Sequence, residues 1–322
     1  MNGSAPPAVR TALVYNCATP TGQAVASELL QRGYRVFACL DFADGLAAGT
    51  LNAQGAQIET IVLETRDRSG ERRISDLAVN IDIVIFTNIA DANLKLLSGL
   101  ERAAPKRCVF ISANDVGVRR DYTAFSGFAS AEARVSASSL SWSILRPTMT
   151  YGHPDDGNLS VLAQRLKSGR STIVADVDDP SHQPIFYADV ARAAVGVAQW
   201  PEGARRVIPV GGPDKVSLAG LYDAVADAVA ARKRPRHVPL GRLRLTTKAA
   251  RMLRLPSQGG LSRSGKLERP RTALTPIDMP DDARPQISLK TGLELLAQEL
   301  SRLDGTSEGA QLAVKSAPEL PL

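Results

Sequence analysis

The chain has 322 residues, of which 44% are hydrophobic and 5% aromatic, with 39 Lys and Arg against 33 Asp and Glu. This length and apolar fraction exclude a disordered or collagen-like chain and suffice for one large α/β domain, alone or with a smaller partner domain. No apolar run is long enough to span a membrane, and the first residues lack the basic and apolar regions of a secretory signal.

The three cysteines, Cys17, Cys39 and Cys108, occur in apolar, strand-like stretches without a Cys-x-x-Cys pattern. Their odd number and their setting predict buried free thiols in a reducing compartment. With three scattered histidines and no paired cysteines, the sequence predicts no metal site. We therefore expect a soluble protein of the cytoplasm.

The net charge of +6 is unevenly distributed. Residues 232–271 contain thirteen Lys and Arg but one acid, Glu268, so the rest of the chain is net acidic. Such a basic block suggests a phosphate-bearing ligand, an anionic surface or an acidic partner, although a solvated loop explains it equally well. The block has no interleaved aromatic residues, so we expect no nucleic-acid binding. Its amphipathic part at 241–255 is more typical of a helix packed on its own domain than of a membrane contact.

Strand-like and helix-like segments alternate through the first half of the chain. Apolar runs predict strands at 11–16, 34–40, 58–63, 81–86, 107–112 and 141–145. Helical periodicity separates them and is clearest at 21–32, where Gly33 is placed to end the helix. Near-continuous apolar strands with intervening helices predict a parallel sheet with right-handed crossovers, which is an α/β, Rossmann-type doubly wound fold.

After residue 146 the alternation loosens. Helices are predicted at 159–168, 189–199, 218–231, 241–255 and 288–303, and a strand at 206–210. Residues 256–287 are rich in Pro, Gly, Ser and Arg, which predicts a long loop. We expect a nucleotide-binding domain at 10–150, rejoined by the chain at 185–200, then a smaller substrate-binding subdomain at 151–303. A disordered tail is predicted at 304–322.

The turn after the first strand reads NCATPTG and places Asn16, Thr19 and Gly22 where a dinucleotide-binding turn has three glycines. Gly22 keeps the residue that allows helix and strand to pack closely, and Asn16 tolerates left-handed backbone angles. Thr19 puts a Cβ where a phosphate would approach, while Thr21 and the free N–H groups of the helix can hold an anion. The turn indicates dinucleotide binding or, if Thr19 blocks the phosphate, a crevice for another ligand.

Asp41 follows the second strand, about 20 residues after this turn. A carboxylate in that position accepts hydrogen bonds from an adenosine ribose and repels a 2′-phosphate, so NAD is favoured over NADP as the cofactor. The alternative is a surface residue that caps the next helix.

Three later segments resemble the extended and atypical short-chain dehydrogenase/reductases, the group of NAD-dependent epimerases, dehydratases and NmrA-like proteins. These segments read SWSILRPTMTYGHPDDGN, HQPIFYADVARAAVGVAQ and RVIPVGGPDKVSLAGLYDAVADAV. The resemblance extends from Ala12 to about residue 255 and returns in QISLKTGLELL. It implies a sheet of order 3-2-1-4-5-6-7, a C-terminal substrate domain, an anionic or nucleotide-linked ligand and a possible homodimer. It also implies cofactor contacts for Asp41, Glu64, Asn88 and Pro147.

The catalytic pattern of that family is absent. Alignment places its tyrosine at Ser126, its lysine at Ser130 and its fifth-strand hydroxyl at Ala113, beside Ser112. In the family the phenol transfers a proton while the nicotinamide transfers a hydride, so we do not expect ordinary hydride-transfer chemistry here. Ser112 and Tyr122 are the remaining candidates for a catalytic role, although packing and a strand-end hydrogen bond explain them better.

Tyr151, His153 and Asn158 belong to a loop that faces the substrate in the resembling proteins, with a solvated loop as the alternative. Two functions stay open. The first is an epimerase- or dehydratase-like enzyme with atypical or redox-neutral chemistry, favoured by these substrate-side segments. The second is a non-catalytic dinucleotide-binding sensor, scaffold or accessory subunit, favoured by the missing tyrosine and lysine.

Overall fold

The computed structural model describes residues 9–41, 58–63, 68–91, 94–117, 126–176, 182–239 and 278–304. Within these ranges the strands are β1 (Thr11–Tyr15), β2 (Arg35–Asp41), β3 (Ile58–Leu63), β4 (Ile83–Phe86), β5 (Arg107–Ile111), β6 (Trp142–Pro147), β7 (Thr150–Tyr151), β8 (Ile173–Asp176), β9 (Ile185–Phe186), β10 (Arg206–Val210) and β11 (Arg236–Pro239). The α-helices are α1 (Pro20–Gln31), α2 (Arg68–Ala78), α3 (Leu94–Ala103), α4 (Ser126–Ala137), α5 (Leu159–Lys167), α6 (Tyr187–Gln199), α7 (Leu218–Ala228) and α8 (Leu289–Asp304).

The chain divides into two compact units. Of the described residues, the first unit takes those up to 148, then 187–210 and 278–285. The second unit takes those of 149–186, 211–239 and 286–304. The chain therefore leaves the first unit after β6 and returns to it twice.

The first unit is built on a seven-stranded sheet of order β10-β6-β5-β4-β1-β2-β3. Every neighbouring pair in it is parallel. This confirms the predicted α/β, Rossmann-type fold and the predicted strand order, with β10 as the seventh strand. The order reverses beside β1, and ligands of such sheets bind outside the carboxyl ends of the strands at that reversal.

Three aromatic rings cross the centre of this sheet. Tyr15 of β1 stacks on Phe86 of β4 with 4.6 Å between ring centroids, and Phe86 stacks on Phe110 of β5 at 5.0 Å. All three side chains are buried in one apolar cluster with residues of α2, α3 and α4. Stacked, desolvated rings hold the central strands in register and so fix the ends of these strands relative to one another.

Helix α1 begins one residue before the predicted range of 21–32, and it ends before Gly33 as predicted. Thr19 is the N-cap, Pro20 is the first helical residue, and Gly33 follows the helix with a φ of +77°. The Gly33 N–H donates to the carbonyl oxygen of Leu30 at 2.9 Å, which satisfies a carbonyl of the last turn. The structure thereby confirms Gly33 as the residue that ends the helix.

Gly22 lies where α1 crosses the end of β1. A Cβ added there would lie 2.6 Å from the carbonyl oxygen of Asn16 and 2.8 Å from the Cα of Cys17. Both neighbours are backbone atoms, so neither can rotate away. A glycine is therefore needed for this close approach of helix and strand.

The second unit contains two short parallel pairs, β7 with β9 and β11 with β8, together with α5, α7 and α8. Its core includes the edge-to-face contact of Tyr151 with Phe186, whose ring centroids are 5.6 Å apart. Gly292 of α8 packs closely on both rings. A Cβ at this position would lie 2.2 Å from the Tyr151 hydroxyl oxygen and 2.9 Å from a ring carbon of Phe186.

Several predicted features lie outside the described residues. They are residues 240–277, which include the helix expected at 241–255 and most of the loop expected at 256–287, and the tail from residue 305. The described end of that loop contains the 3₁₀ turn Asp281–Ala283, and α8 extends to Asp304. None of the helices in the described ranges is long and apolar enough to cross a membrane.

Replacing Gly22 by alanine should destabilise the first unit. We expect G22A to lower the free energy of unfolding by about 2 kcal/mol, because the added methyl group overlaps fixed backbone atoms. The control is G127A at the exposed start of α4, where a Cβ meets nothing within 4 Å and favours the helix slightly. Urea unfolding checks both variants, and equal midpoints for G22A and the parent would contradict this account of the turn.

Candidate functional site

The turn between β1 and α1 is fixed by the strands on both sides of it. Asn16 has a φ of +59°, in the left-handed region that asparagine tolerates better than most residues. The Cys17 N–H donates to the carbonyl oxygen of Cys39 in β2 at 3.1 Å. On the other side, the Thr87 hydroxyl, just after β4, donates to the carbonyl oxygens of Tyr15 at 3.1 Å and Asn16 at 3.0 Å. These bonds hold the turn at the carboxyl edge, which we define as the edge formed by the carboxyl ends of the sheet strands.

Thr19 uses its own hydroxyl to close the start of α1. Its Oγ1 accepts a hydrogen bond from the Gly22 N–H at 3.1 Å and donates one to the Asn16 carbonyl oxygen at 3.1 Å. Pro20 has no N–H group. Among the first three residues of the helix, which are all described, Thr21 alone keeps an N–H that neither the helix nor the Thr19 side chain accepts.

The turn meets two of the three requirements of a dinucleotide-binding turn. Asn16 provides the tight reversal, and Gly22 provides the close packing. The middle requirement, a bare backbone that a diphosphate can approach, is not met, because Thr19 carries a side chain there and Pro20 lacks a donor. Asn16 and Gly22 give the turn the backbone path and the close packing that an adenine nucleotide requires. Thr19 and Pro20 leave fewer N–H donors for its phosphates than a glycine turn has.

The other predicted cofactor residues are at the carboxyl ends of β2, β4 and β6 in the same sheet. Asp41 is the last residue of β2, and buried Pro147 is the last residue of β6. Asn88 follows β4, and its side-chain oxygen accepts a hydrogen bond from the Ala90 N–H at 3.0 Å. Parallel strands place these positions and the turn along one carboxyl edge. Glu64 lies outside the described residues.

A buried ion pair occupies the end of this edge at β5 and β6. Arg146 of β6 donates from Nε to Oε1 of Glu132 at 2.9 Å and from a terminal nitrogen to Oε2 at 2.5 Å. The Ser112 hydroxyl, directly after β5, donates to Oε1 of the same carboxylate at 2.5 Å. Glu132 and Ser112 are 7% and 5% exposed, so the carboxylate and the hydroxyl are shielded from solvent. The Arg146 side chain is 24% exposed.

The Ser112 hydroxyl, a catalytic candidate from the sequence, is engaged in this network. It donates a hydrogen bond to the Glu132 carboxylate, whose charge Arg146 already neutralises, so the geometry assigns Ser112 to holding α4 on the sheet. Helix α4 contains no tyrosine and no lysine, and Ser130 on it is exposed. Tyr122 lies outside the described residues. Nothing in the described part of α4 supplies a phenol or an ammonium to this edge.

Solved structures with the same architecture were found across nearly the whole chain. The Bordetella bronchiseptica enzyme WbmG in complex with NAD has a TM-score of 0.67 at 15% identity, covering 95% of this chain and 98% of that one. A Bacillus cereus UDP-glucuronic acid 4-epimerase in complex with UDP-glucuronic acid and NAD has a TM-score of 0.61 at 17% identity, covering 91% and 99%. A Thermotoga maritima UDP-glucose 4-epimerase with UDP-glucose has a TM-score of 0.59 at 17% identity, with the same coverage. The sequence matches no protein-family model and no curated protein.

The chain has the fold of these solved structures, two of which are nucleotide-sugar epimerases. The resemblance seen in the sequence is thereby confirmed at the level of the fold. At these identities the likeness concerns the fold alone. The roles of individual residues in this epimerase-type fold therefore depend on their own contacts.

In the second unit, Tyr151 is a packing residue. It is 1% exposed, its hydroxyl donates to the carbonyl oxygen of Leu289 at 3.4 Å, and its ring packs on Phe186 and Gly292. A phenol held in this way contributes to the core of the second unit, and reaching a ligand would require repacking around Gly292.

Asn158 and His153 belong to a loop organised by Asp156. The Asp156 carboxylate accepts hydrogen bonds from the N–H groups of Gly152, Asn158 and Ser160, at 3.0, 2.7 and 3.0 Å. The Asn158 side chain donates to the carbonyl oxygen of Thr150 at 3.0 Å. His153 is partly exposed, and its Nδ1 accepts from the Asp155 N–H at 3.2 Å. Of the three substrate-side candidates, Tyr151 is buried, whereas His153 and Asn158 are partly exposed.

The cysteines are free and buried, as the sequence predicts. Cys17 lies under the turn, where its Sγ donates to the Gly22 carbonyl oxygen at 3.6 Å, and burial raises its pKa to about 12. Burial likewise raises the pKa of Cys108 to about 12. A nucleophile must be a thiolate, so these two cysteines are packing residues at neutral pH. Within the described ranges, no group of three His, Cys, Asp or Glu is placed to hold a metal ion.

Two residues of this edge were missed from the sequence. Glu132 lies on the buried face of α4 with Ala131 and Val135, and an acid at such a position signals a buried partner. Pro20 follows the capping Thr19, and a proline at the first helical position signals a missing donor. Both signals are present in the sequence. The partner of Glu132 is identified only by the packing of α4 on β6.

Breaking the buried pair should cost far more stability than breaking an exposed one. We expect E132Q to lower the free energy of unfolding by about 2 kcal/mol, since it leaves Arg146 without a counter-charge. The control is E59Q, which removes an ion pair with Arg35 whose side chains are 53% and 58% exposed and should change stability by less than about 0.5 kcal/mol. Urea unfolding of both variants is the test. Similar losses in the free energy of unfolding would show that the network of Glu132 stabilises the protein no more than an exposed ion pair does.

Proposed function

We propose that the first unit binds an adenine dinucleotide of the NAD type along its carboxyl edge, without turning it over through a tyrosine and lysine. In this proposal the protein is a ligand-binding sensor, scaffold or accessory subunit. The observation that carries the proposal is the turn at Asn16, packed on Gly22 beside the point where the strand order reverses. Two of the similar structures, WbmG and the Bacillus cereus epimerase, are complexes with NAD, which supports the choice of ligand.

The residues that would hold the cofactor are at, or directly after, the carboxyl ends of five strands, β1 to β4 and β6. In this assignment Asp41 binds the adenosine ribose, the Thr19–Thr21 turn lies beside the phosphates, and Asn88 and Pro147 lie beside the nicotinamide half. Glu64 would contact the adenine. A bound nicotinamide supplies a hydride acceptor or donor. The Ser112 hydroxyl is held by Glu132, so in this proposal Ser112 packs α4 on the sheet and is not the proton donor.

The second candidate is an enzyme of the epimerase or dehydratase type that acts on an anionic or nucleotide-linked small molecule by atypical or redox-neutral chemistry. It is favoured by the similarity to two epimerase structures that contain UDP-glucose and UDP-glucuronic acid. Tyr122 would then be the displaced proton donor, and Y122F would abolish turnover without changing cofactor affinity. A sensor or scaffold shows no turnover in either form. The second unit, with His153, would bind the substrate.

A cytoplasmic location and a homodimer complete the proposal. The three buried free thiols support a reducing compartment. The homodimer rests on the resemblance to the short-chain dehydrogenase/reductases, and sedimentation of the purified protein decides it.

Asp41 should make the site prefer NAD to NADP. We expect the ligand-free protein to bind NAD⁺ at least about tenfold more tightly than NADP⁺, because a 2′-phosphate meets a carboxylate, and D41N to narrow that difference. D227N removes an exposed acid of the second unit and is the control, with no effect on the ratio. Calorimetric titration with both cofactors and their reduced forms is the measurement. Failure of all four to bind would overturn the proposed function.

A further inference from the structure

We infer that Thr19 and Pro20 make this turn insensitive to a diphosphate, so that the adenosine part of a ligand carries most of its affinity. The inference rests on the proposed function, because it concerns the same site. It assigns a ligand specificity to two residues that depart from a glycine turn, and it predicts that the site hardly distinguishes an adenine nucleoside from its diphosphate derivatives.

The first argument is the number of main-chain donors. A diphosphate at a helix start is bound by N–H groups of the first turn. Here Pro20 has none, and the Gly22 N–H is accepted by Thr19 Oγ1 at 3.1 Å. Among the first three helical residues, which the structure describes, the Thr21 N–H is the one that remains available to a ligand. The first turn of α1 thus offers a diphosphate one free N–H group and not a pair of them.

The second argument is that the Thr19 side chain is held in place. Its hydroxyl is bonded at both sides, as acceptor from Gly22 and as donor to the Asn16 carbonyl oxygen. Rotating it away would remove the N-cap of α1, which is a stabilising interaction. A ligand phosphate therefore meets a β-branched side chain that cannot turn aside without loss.

The third argument is the absence of a cation to replace the missing donors. Along the described carboxyl edge, in residues 16–23, 39–41, 86–91, 111–117 and 145–148, Arg146 is the one Lys or Arg. It is already paired with Glu132. From the first turn of α1 a doubly charged diphosphate would have one main-chain donor, the Thr21 N–H, and these segments offer no unpaired guanidinium. An uncharged adenosine requires neither group.

The test compares adenosine with ADP-ribose, which differ by the diphosphate and the second ribose. We expect ligand-observed NMR titrations of the parent protein to give dissociation constants within about threefold of each other. In the double variant T19G/P20A, which restores a bare backbone and two N–H donors, ADP-ribose should bind at least about tenfold more tightly relative to adenosine. D227N, which removes an exposed acid of the second unit, is the control and should keep the parent's ratio.

Each outcome decides between the two claims. If the parent already prefers ADP-ribose by more than about thirtyfold, or if T19G/P20A keeps the parent's ratio, the inference is wrong while nucleotide binding stands. If neither ligand binds the parent or any variant, the proposed function fails and the inference fails with it. If the double variant does not fold, P20A alone is tested, since alanine is tolerated at the first helical position. P20A should raise the affinity for ADP-ribose relative to adenosine about threefold or more.

Discussion

The reversal of the chain between β1 and α1 is the constraint on which the rest of the first unit depends. It requires a left-handed residue at Asn16 and no side chain at Gly22, where backbone atoms approach within 2.6 Å of a Cβ position. When both conditions are met, α1 starts at the carboxyl edge beside β2 and β4. Hydrogen bonds donated by Cys17 and Thr87 hold the turn in this position. This packing does not dictate the middle residue of the turn, where a dinucleotide-binding turn has a glycine and this chain has Thr19.

Elsewhere on the same edge, polar groups hold the fold together. The Ser112 hydroxyl, Glu132 and Arg146 bind one another across β5, α4 and β6, with two of the three side chains nearly inaccessible to solvent. Such a network specifies one packing of α4 on the sheet, since each member would be costly to bury alone. The polar side chains that the structure places at this end of the edge are therefore engaged with one another.

The fold was predictable from the sequence because its signals are local. Apolar runs separated by helical periods give the strands, Thr19 and Gly33 bound α1, and the turn residues lie within seven positions of one another. The ion pair of Glu132 and Arg146 was not predictable, since it depends on which face of α4 meets β6. The setting of Tyr151 depends on contacts with Leu289, 138 residues later, and with Gly292. Local patterns position a site, and contacts distant in sequence decide which of its side chains remain available.

Hydrogen exchange with and without NAD⁺ tests the central claim most directly, because it reports where the ligand lies whether or not a reaction follows. Binding along the carboxyl edge predicts slower exchange in peptides that cover residues 16–23 and 87–91, with peptides from α8 unchanged. Saturating NAD⁺ that protects neither segment, or that protects only the second unit, would contradict the placement of the nucleotide at this edge.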